Sequence, residues 1–188
     1  MASTILVDKI DPQSGTALEI GTSGDTITIP SGVTITNSGT ATGFGGGKVL
    51  QVLAGTPLGN VNTTTTTFAD TGLTVSITPA STSNKILIWV SLVGIYKSGA
   101  NNSLAAKLLR DTTDILEFGG IAAYNDATSA IGVGGVSCNY LDSPSTTSAT
   151  TYKVQFATTT GTGAVHLANW QTGAIRPKNT ITVMEIEA

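Results

Sequence analysis

The ten residues KILIWVSLVG, at positions 85–94, decide the fold of this 188-residue chain. Successive side chains of a β-strand point to opposite faces, and here both faces are apolar. One face carries Ile86, Ile88, Val90 and Leu92. The other carries Leu87, Trp89 and Val93. A strand of an isolated sandwich normally has one wet face, so we expect a central strand whose outer face is covered either by a loop or by another subunit.

Alternating strands with turn clusters between them continue on both sides of this stretch, from Lys48 to the end of the chain. Such a pattern predicts an all-β antiparallel sandwich, and about ten strands fit a jelly roll. The segment 103–110 has helix propensity, but the tight turn that follows it favours a strand. The predicted strands are 48–54, 63–68, 73–78, 85–94, 103–109, 114–118, 131–140, 150–157, 164–170 and 180–187. The predicted turns are 70–72, 79–84, 110–114, 142–145 and 176–179.

The first 47 residues differ from the rest, being short runs of Thr, Ser, Gly, Ile and Val that end in the glycine-rich stretch 43–47. The fragments 17–20, 25–30 and 32–36 are each too short to fold alone and are separated by Gly or Pro corners. Ile27 and Val33 lie one predicted rung apart, as do Ile29 and Ile35. We expect an N-terminal shaft with a flexible hinge over 1–47 and a head domain over 48–188.

Composition limits the possible functions. Charged residues make up 11% of the chain, and the net charge is −3, with Lys and Arg scattered singly. A surface so poor in charge indicates burial in an assembly, and we expect a homotrimer. Without clustered cations, nucleic acid and membrane surfaces are not expected partners. No apolar run approaches the length of a membrane span, and the N-terminus lacks the pattern of a secretory signal.

Few residues could carry catalysis or hold a metal. Cys138 stands alone, so we expect a half-buried strand thiol and no intrachain disulfide. His166 has no partner recognisable in the sequence and is expected to be structural, although three copies could meet on a trimer axis. The acids Asp111, Asp114 and Glu117 are expected in a solvated turn rather than in a calcium loop or a glycosidase pair, and Asp142 is expected to cap its own turn. We therefore predict no enzyme activity, no cofactor and no metal.

Surface binding is the remaining possibility. The aromatic residues within apolar strands, such as Trp89, Trp170, Tyr140 and Tyr152, are expected in the core. Tyr96 and Tyr124 instead adjoin polar loops, where binding usually occurs. The candidate surface-binding residues are Tyr96, Lys97, Asn101, Asn102, Tyr124, Asn125 and Asp126.

Several segments together resemble the fibre proteins of tailed phages, especially those of marine podoviruses and myoviruses. In the N-terminal part these are STILVDKI at 3–10 and LEIGTSGDTITIP at 18–30. In the C-terminal part they are ITPASTSNKILI at 77–88, YLDSP at 140–144, TYKVQ at 151–155 and TITVMEI at 180–186. The C-terminal set is similar to jelly-roll heads of the C1q and tumour-necrosis-factor type. The chain is shorter than a long tail fibre and has no extended repeat array.

The resemblance implies a homotrimeric fibre on the exterior of the virion. Its N-terminal segment would attach to another virion protein, and its head would contact a glycan or protein of the host surface. Three linked heads would gain avidity from weak individual contacts. A capsid-mounted decoration fibre is the alternative within the structural class. A tailspike-like depolymerase and a soluble cytokine-like ligand are the alternatives outside it.

Overall fold

The computed structural model describes residue 20 and residues 22–34, 36, 48–126, 131–132, 134–161, 163–168 and 177–188. The chain divides into two compact units, Met1–Thr42 and Gly43–Ala188. The expected division into 1–47 and 48–188 stays a prediction. The predicted hinge itself, 43–47, lies outside the described residues.

Twelve strands are described in the second unit. They are β1 (Val49–Ala54), β2 (Val61–Thr63), β3 (Ala69–Ile77), β4 (Lys85–Val93), β5 (Tyr96–Lys97), β6 (Asn102–Arg110), β7 (Thr113–Asn125), β8 (Ile131–Gly132), β9 (Gly135–Asp142), β10 (Thr150–Thr158), β11 (Val165–Leu167) and β12 (Thr180–Ile186).

The strands form three four-stranded antiparallel sheets. Sheet I has the order β1-β12-β4-β9, sheet II has β3-β10-β6-β7, and sheet III has β2-β11-β5-β8. Sheets I and II together contain eight strands. Their pairing is nested along the chain: β1 pairs with β12, β3 with β10, β4 with β9, and β6 with β7. A hairpin of strands wrapped in this way is a jelly roll, as the sequence predicts.

The hydrophobic core lies between sheets I and II. From β4 it receives the face of Ile86, Ile88, Val90 and Leu92, all fully buried. Leu73 and Ile77 of β3, Leu104 and Leu108 of β6, and Val154 of β10 come from the facing sheet. Burying each such side chain contributes about 1.5–3 kcal/mol, so this face of β4 alone holds the two sheets together strongly. The predicted alternation in 85–94 is confirmed.

The segment 103–110, with its helix propensity, is confirmed as a strand, because β6 lies between two partners in sheet II. Tertiary pairing outweighs a local preference of this size. The predicted strands at 73–78, 85–94, 150–157 and 180–187 match described strands to within a few residues at either end.

Two local predictions were wrong. The predicted strand 63–68 ends at Thr63, because the hydroxyls of Thr63 and Thr65 accept hydrogen bonds from the amides two residues later, at 3.4 and 3.0 Å. Such local bonds compete with a sheet ladder. The predicted turn 70–72 lies inside β3 instead, where the Thr71 hydroxyl bonds to the carbonyl of Val154 at 2.8 Å. The register shifts at this place, so the Asp-Thr-Gly sequence makes a β-bulge rather than a turn.

In the first unit, residues 22–34 contain two turns and no strand. The amide of Asp25 bonds to the carbonyl of Thr22 at 3.0 Å, and the amide of Val33 bonds to that of Pro30 at 3.3 Å. These turns stand at the Gly and Pro corners expected from the sequence.

The described residues include no helix that is long and apolar enough to cross a membrane.

Candidate functional site

The outer face of sheet I carries a row of apolar side chains that runs across all four strands. Val52 of β1 lies opposite Met184 of β12, Met184 lies opposite Leu87 of β4, and Leu87 lies opposite Leu141 of β9. Directly paired residues point to the same face, so the four side chains form one continuous line. We call this row, together with Trp89 in the neighbouring row, the apolar face.

The apolar face is open to solvent in the single chain. Val52 is 54% exposed, Trp89 55% and Leu141 52%. We expected the outer face of 85–94 to be covered either by a loop or by another subunit. At Trp89 no loop of the chain covers it, so the first possibility is wrong there. The expectation that Trp89 belongs to the core is wrong for the same reason. Large apolar groups exposed in a contiguous patch usually mark an interaction surface.

The outer face of sheet II has the opposite character. Lys107 pairs with Asp114 at 2.6 Å, and Lys153 pairs with Asp70 at 3.2 Å. A hydrogen bond from Gln155, together with Lys153, lowers the pKa of Asp70. On the outer face of sheet I, by contrast, Lys85 is the one charged side chain among the outward positions of its four described strands. The sandwich thus has one charged outer face and one that is nearly uncharged.

Sheet III lies at the end of the sandwich away from the start of the head. Lys48 begins the head beside the C-terminus, since its carbonyl accepts a bond from the Glu187 amide. Arg110, at the end of β6, lies at this same end, where it binds Asp142. Asn102, at the start of β6, is therefore at the opposite end, which we call the distal end. Sheet III contacts β6 and β10, and Asn125 at the end of β7 pairs with Asn102.

The distal end brings together most of the predicted surface-binding residues. Tyr124 is 57% exposed, and its hydroxyl donates a 3.2 Å bond to the Asn101 side chain. Asp126 is exposed. Asn125 pairs with Asn102 in the β7–β6 ladder, and its side chain lies outside the described part of the structure. Tyr96 is half-buried, with its ring edge-to-face against His166 at 5.4 Å.

Two of the predicted surface residues are buried instead. Lys97 is fully buried, and its ammonium donates a 2.8 Å bond to the carbonyl of Gly99. Asn102 is also fully buried and donates to the carbonyls of Ser98 and Gly163 at 3.3 and 3.2 Å. The bonds to Gly99 and Ser98 lie within the 97–102 segment, and the bond from Asn102 to Gly163 joins this segment to another part of the head. Polar residues in a loop sequence do not reveal whether they serve the loop or face solvent.

His166 is half-buried on β11. Burial lowers the pKa of its imidazole, which favours the neutral ring at pH 7. Its Nδ1 atom is buried and has no hydrogen-bond partner among the residues that the structure describes. Its ring packs edge-to-face against Tyr96, and the structural role expected for His166 stays a prediction. Trp170 lies outside the described residues.

The acids near the 110–114 turn are held by separate partners. Asp111 accepts a 2.9 Å bond from the Thr151 amide, and Asp114 pairs with Lys107. Glu117 is exposed on β7. Within the described parts of the chain, no three His, Cys, Asp or Glu residues are grouped so as to hold a metal ion. The absence of enzyme activity stays a prediction.

Two buried carboxylates have structural positions. Asp142, which was expected to cap a turn, is 5% exposed and binds Arg110 and Tyr152 across the sandwich. Glu185 is fully buried and accepts bonds from Asn84 and Gln51, both at 2.6 Å, and from the Ala80 amide at 2.7 Å. Sequence analysis missed Glu185, which looks like an ordinary polar position in an alternating strand.

Cys138 is half-buried on β9, as predicted. Burial raises the pKa of its thiol to about 11, so the reactive thiolate is scarce at neutral pH.

No protein-family model matches the chain, and no curated protein matches it.

Proposed function

We propose that this chain is the adhesion fibre of a tailed-phage particle, a homotrimer whose head assembles through the apolar face. The observation that carries the proposal is the row from Val52 to Leu141, which a single chain leaves open to water. At about 25 cal/mol per Å² of apolar surface, covering such a row in an oligomer is favourable. The opposite outer face, with its ion pairs, would remain the solvent face of each subunit.

In the same proposal, the N-terminal segment attaches the trimer to another virion protein and the distal end contacts the host. Two features support this direction. The head begins at the end opposite to sheet III, so a fibre held by its N-terminus presents sheet III outward. At that outward end the Tyr124 side chain is exposed, and its hydroxyl donates a hydrogen bond to Asn101.

Light scattering on the full chain tests the assembly. We expect a mass of three times 19.0 kDa for the unaltered protein. Leu141→Asp places a charge in the apolar face and should give a monomer, because an unpaired carboxylate in an interface is costly. The matched control is Ser76→Asp on the outer face of sheet II, which should remain a trimer. A monomeric unaltered protein, or a trimeric Leu141→Asp variant, contradicts the role of the apolar face.

A printed glycan array tests the contact with host surfaces. We expect the unaltered trimer to bind some of the printed glycans and Tyr124→Ala to lose that binding without losing its trimeric mass. Binding that is unchanged in Tyr124→Ala would contradict a role for the distal aromatic, and would leave the assembly result untouched.

A further inference from the structure

The outer face of sheet III carries one row of residues that crosses all four of its strands. His166 of β11 pairs with Asn62 of β2 on one side and with Tyr96 of β5 on the other. Tyr96 in turn pairs with Gly132 of β8. Directly paired residues point to the same face, so these four residues form one line. We call them the distal row.

The distal row faces outward. The residues that alternate with it along β2, β11 and β5 are all buried, namely Thr63, Val165 and Lys97. In the row itself, the residues at the two ends are exposed, and the two rings between them are half-buried. The row therefore presents two partly sheltered rings between two open ends.

The Tyr96 ring has an open space beside it. On one side the ring lies edge-to-face against His166, with the ring centroids 5.4 Å apart. On the other side Gly132 contributes no side chain, and nothing lies within 4 Å of a Cβ built there. Gly132 is not among the glycines with positive φ, so its backbone would accept another residue. Neither conformation nor crowding requires glycine here, and its effect is to leave room next to the ring.

Packing alone does not explain a histidine in the distal row. The Nδ1 atom of His166 is buried and has no hydrogen-bond partner in the described parts of the chain. Leaving a buried polar atom unpaired costs about 1–3 kcal/mol, which an apolar side chain at this position would avoid. Burial lowers the pKa of the imidazole, so the ring is neutral at pH 7. The other three residues are of uncharged types, and the row as a whole carries no charge.

The distal row is too small for a protein partner. The strands of sheet III are two or three residues long. Four strands span about 14 Å, and three residues along a strand span about 10 Å. The resulting area, on the order of 140 Å², is far below the roughly 800 Å² that each partner contributes to a standard protein interface. An area of this size suits a small molecule.

We propose that the distal row binds one uncharged sugar ring of a glycan, which packs against Tyr96 in the space left by Gly132. The inference rests on the proposed contact with the host and names the ligand class and the residues that bind it. A sugar ring has an apolar C–H face, which suits an aromatic ring, and hydroxyls that both donate and accept hydrogen bonds. The exposed Asn62 amide also donates and accepts. A sugar acid or a phosphate would find no cation in the row to pair with.

Saturation-transfer NMR on the full chain tests the proposal, with the methyl glycosides of glucose, galactose, mannose and N-acetylglucosamine as probes. At least one probe should receive magnetisation from the protein, chiefly at its ring C–H protons. Gly132→Leu should abolish this signal, because its Cβ has open space and the new side chain fills the room beside Tyr96. Gly120→Leu, at a strand glycine of β7 with equally open surroundings, is the matched control and should keep the signal. No binding of any probe, or equal binding by Gly132→Leu, overturns the proposal.

Asn62→Ala gives a second readout that does not depend on filling space. Asn62 is exposed, so the variant should keep its stability and bind the same probe with a larger Kd. An unchanged Kd contradicts the distal row. Light scattering on the same samples reports assembly separately. A trimer whose binding to printed glycans survives Gly132→Leu overturns the distal row alone, whereas a monomer that binds a probe through the row contradicts the fibre instead.

Discussion

The hydroxyl of Tyr152 donates a 2.7 Å hydrogen bond to the carboxylate of Asp142. Tyr152 is on β10 in sheet II and Asp142 ends β9 in sheet I, so the bond joins the two sheets at the end where the head begins. Arg110 adds contacts of 2.8 and 2.9 Å to the same carboxylate. Burial and the neighbouring Asp142 raise the pKa of Tyr152, which keeps its hydroxyl protonated as a donor.

Tyr152→Phe should destabilise the head by about 1.5–3 kcal/mol, the usual range for a hydrogen bond to a charged group. Denaturant unfolding at a fixed protein concentration measures the change, since assembly makes stability depend on concentration. Tyr124→Phe, which removes an exposed hydroxyl, is the control and should stay within about 0.5 kcal/mol of the unaltered protein. An unchanged midpoint for Tyr152→Phe would show that the bond contributes little.

Glu185 should make the head sensitive to acid. Burial raises its pKa, but bonds from the Asn84 and Gln51 side chains and from the backbone of the 80–81 loop lower it by more, so the net pKa lies below the usual 4.5. A lowered pKa means that the folded state favours the charged form. This contribution is complete above pH 4.5 and is lost as the pH falls through the folded-state pKa.

The Glu185→Gln variant should therefore be less stable at pH 7, because its side-chain NH2 group would face donors whose hydrogen bonds the carboxylate accepts. Below pH 4.5 its free energy of unfolding should change less than that of the unaltered protein. Thermal unfolding across a pH series checks both effects. Glu187→Gln, on the exposed residue two positions later, is the control. Parallel pH profiles for the unaltered protein and Glu185→Gln would exclude Glu185 as the source of the acid sensitivity.

Cys138 should react slowly with thiol reagents in the folded protein. Its half-buried position and raised pKa, about 11, both limit the thiolate. A colourimetric disulfide reagent at pH 8 should label it slowly in the native state and fully in concentrated guanidinium chloride. Rapid labelling of the native protein would mean that β9 opens readily.

Gly55→Ala should destabilise the head by about 1–3 kcal/mol, as overpacking does. A Cβ at this position would lie 2.3 Å from the carbonyl oxygen of Thr74 and 2.7 Å from Ile181. The carbonyl belongs to the backbone of β3 and cannot turn aside as a flexible side chain would. Gly120→Ala is the control, because nothing lies within 4 Å of its added Cβ. Equal stabilities of the two variants would mean that β1 and β3 can move apart without cost.

Much of the head could be predicted from local pattern. The alternation in 85–94 gave the inward face of β4 correctly, and turn residues such as those at 79–84 and 142–145 separated strands as expected. Local patterns gave the wrong structure in two places. After Thr63, hydroxyls accept hydrogen bonds from nearby backbone amides and the strand ends, and at Gly72 the glycine lies in a β-bulge rather than in a turn. Asn102 and Lys97 look like loop surface residues in the sequence, but the fold buries both, and one partner of Asn102, the carbonyl of Gly163, is distant in the chain.

The sequence by itself determined the strand class, the two apolar faces of β4 and the Gly and Pro corners of the N-terminal unit, because alternation and the backbone preferences of Gly and Pro are properties of neighbouring residues. Only the tertiary structure decided that Val52, Met184, Leu87 and Leu141 form one row. These residues are far apart in the chain, and their alignment depends on the register of three strand pairs. A shift of one residue in any of those pairs would turn a strand's side chains to the other face, so the apolar face exists only once the sheet has formed.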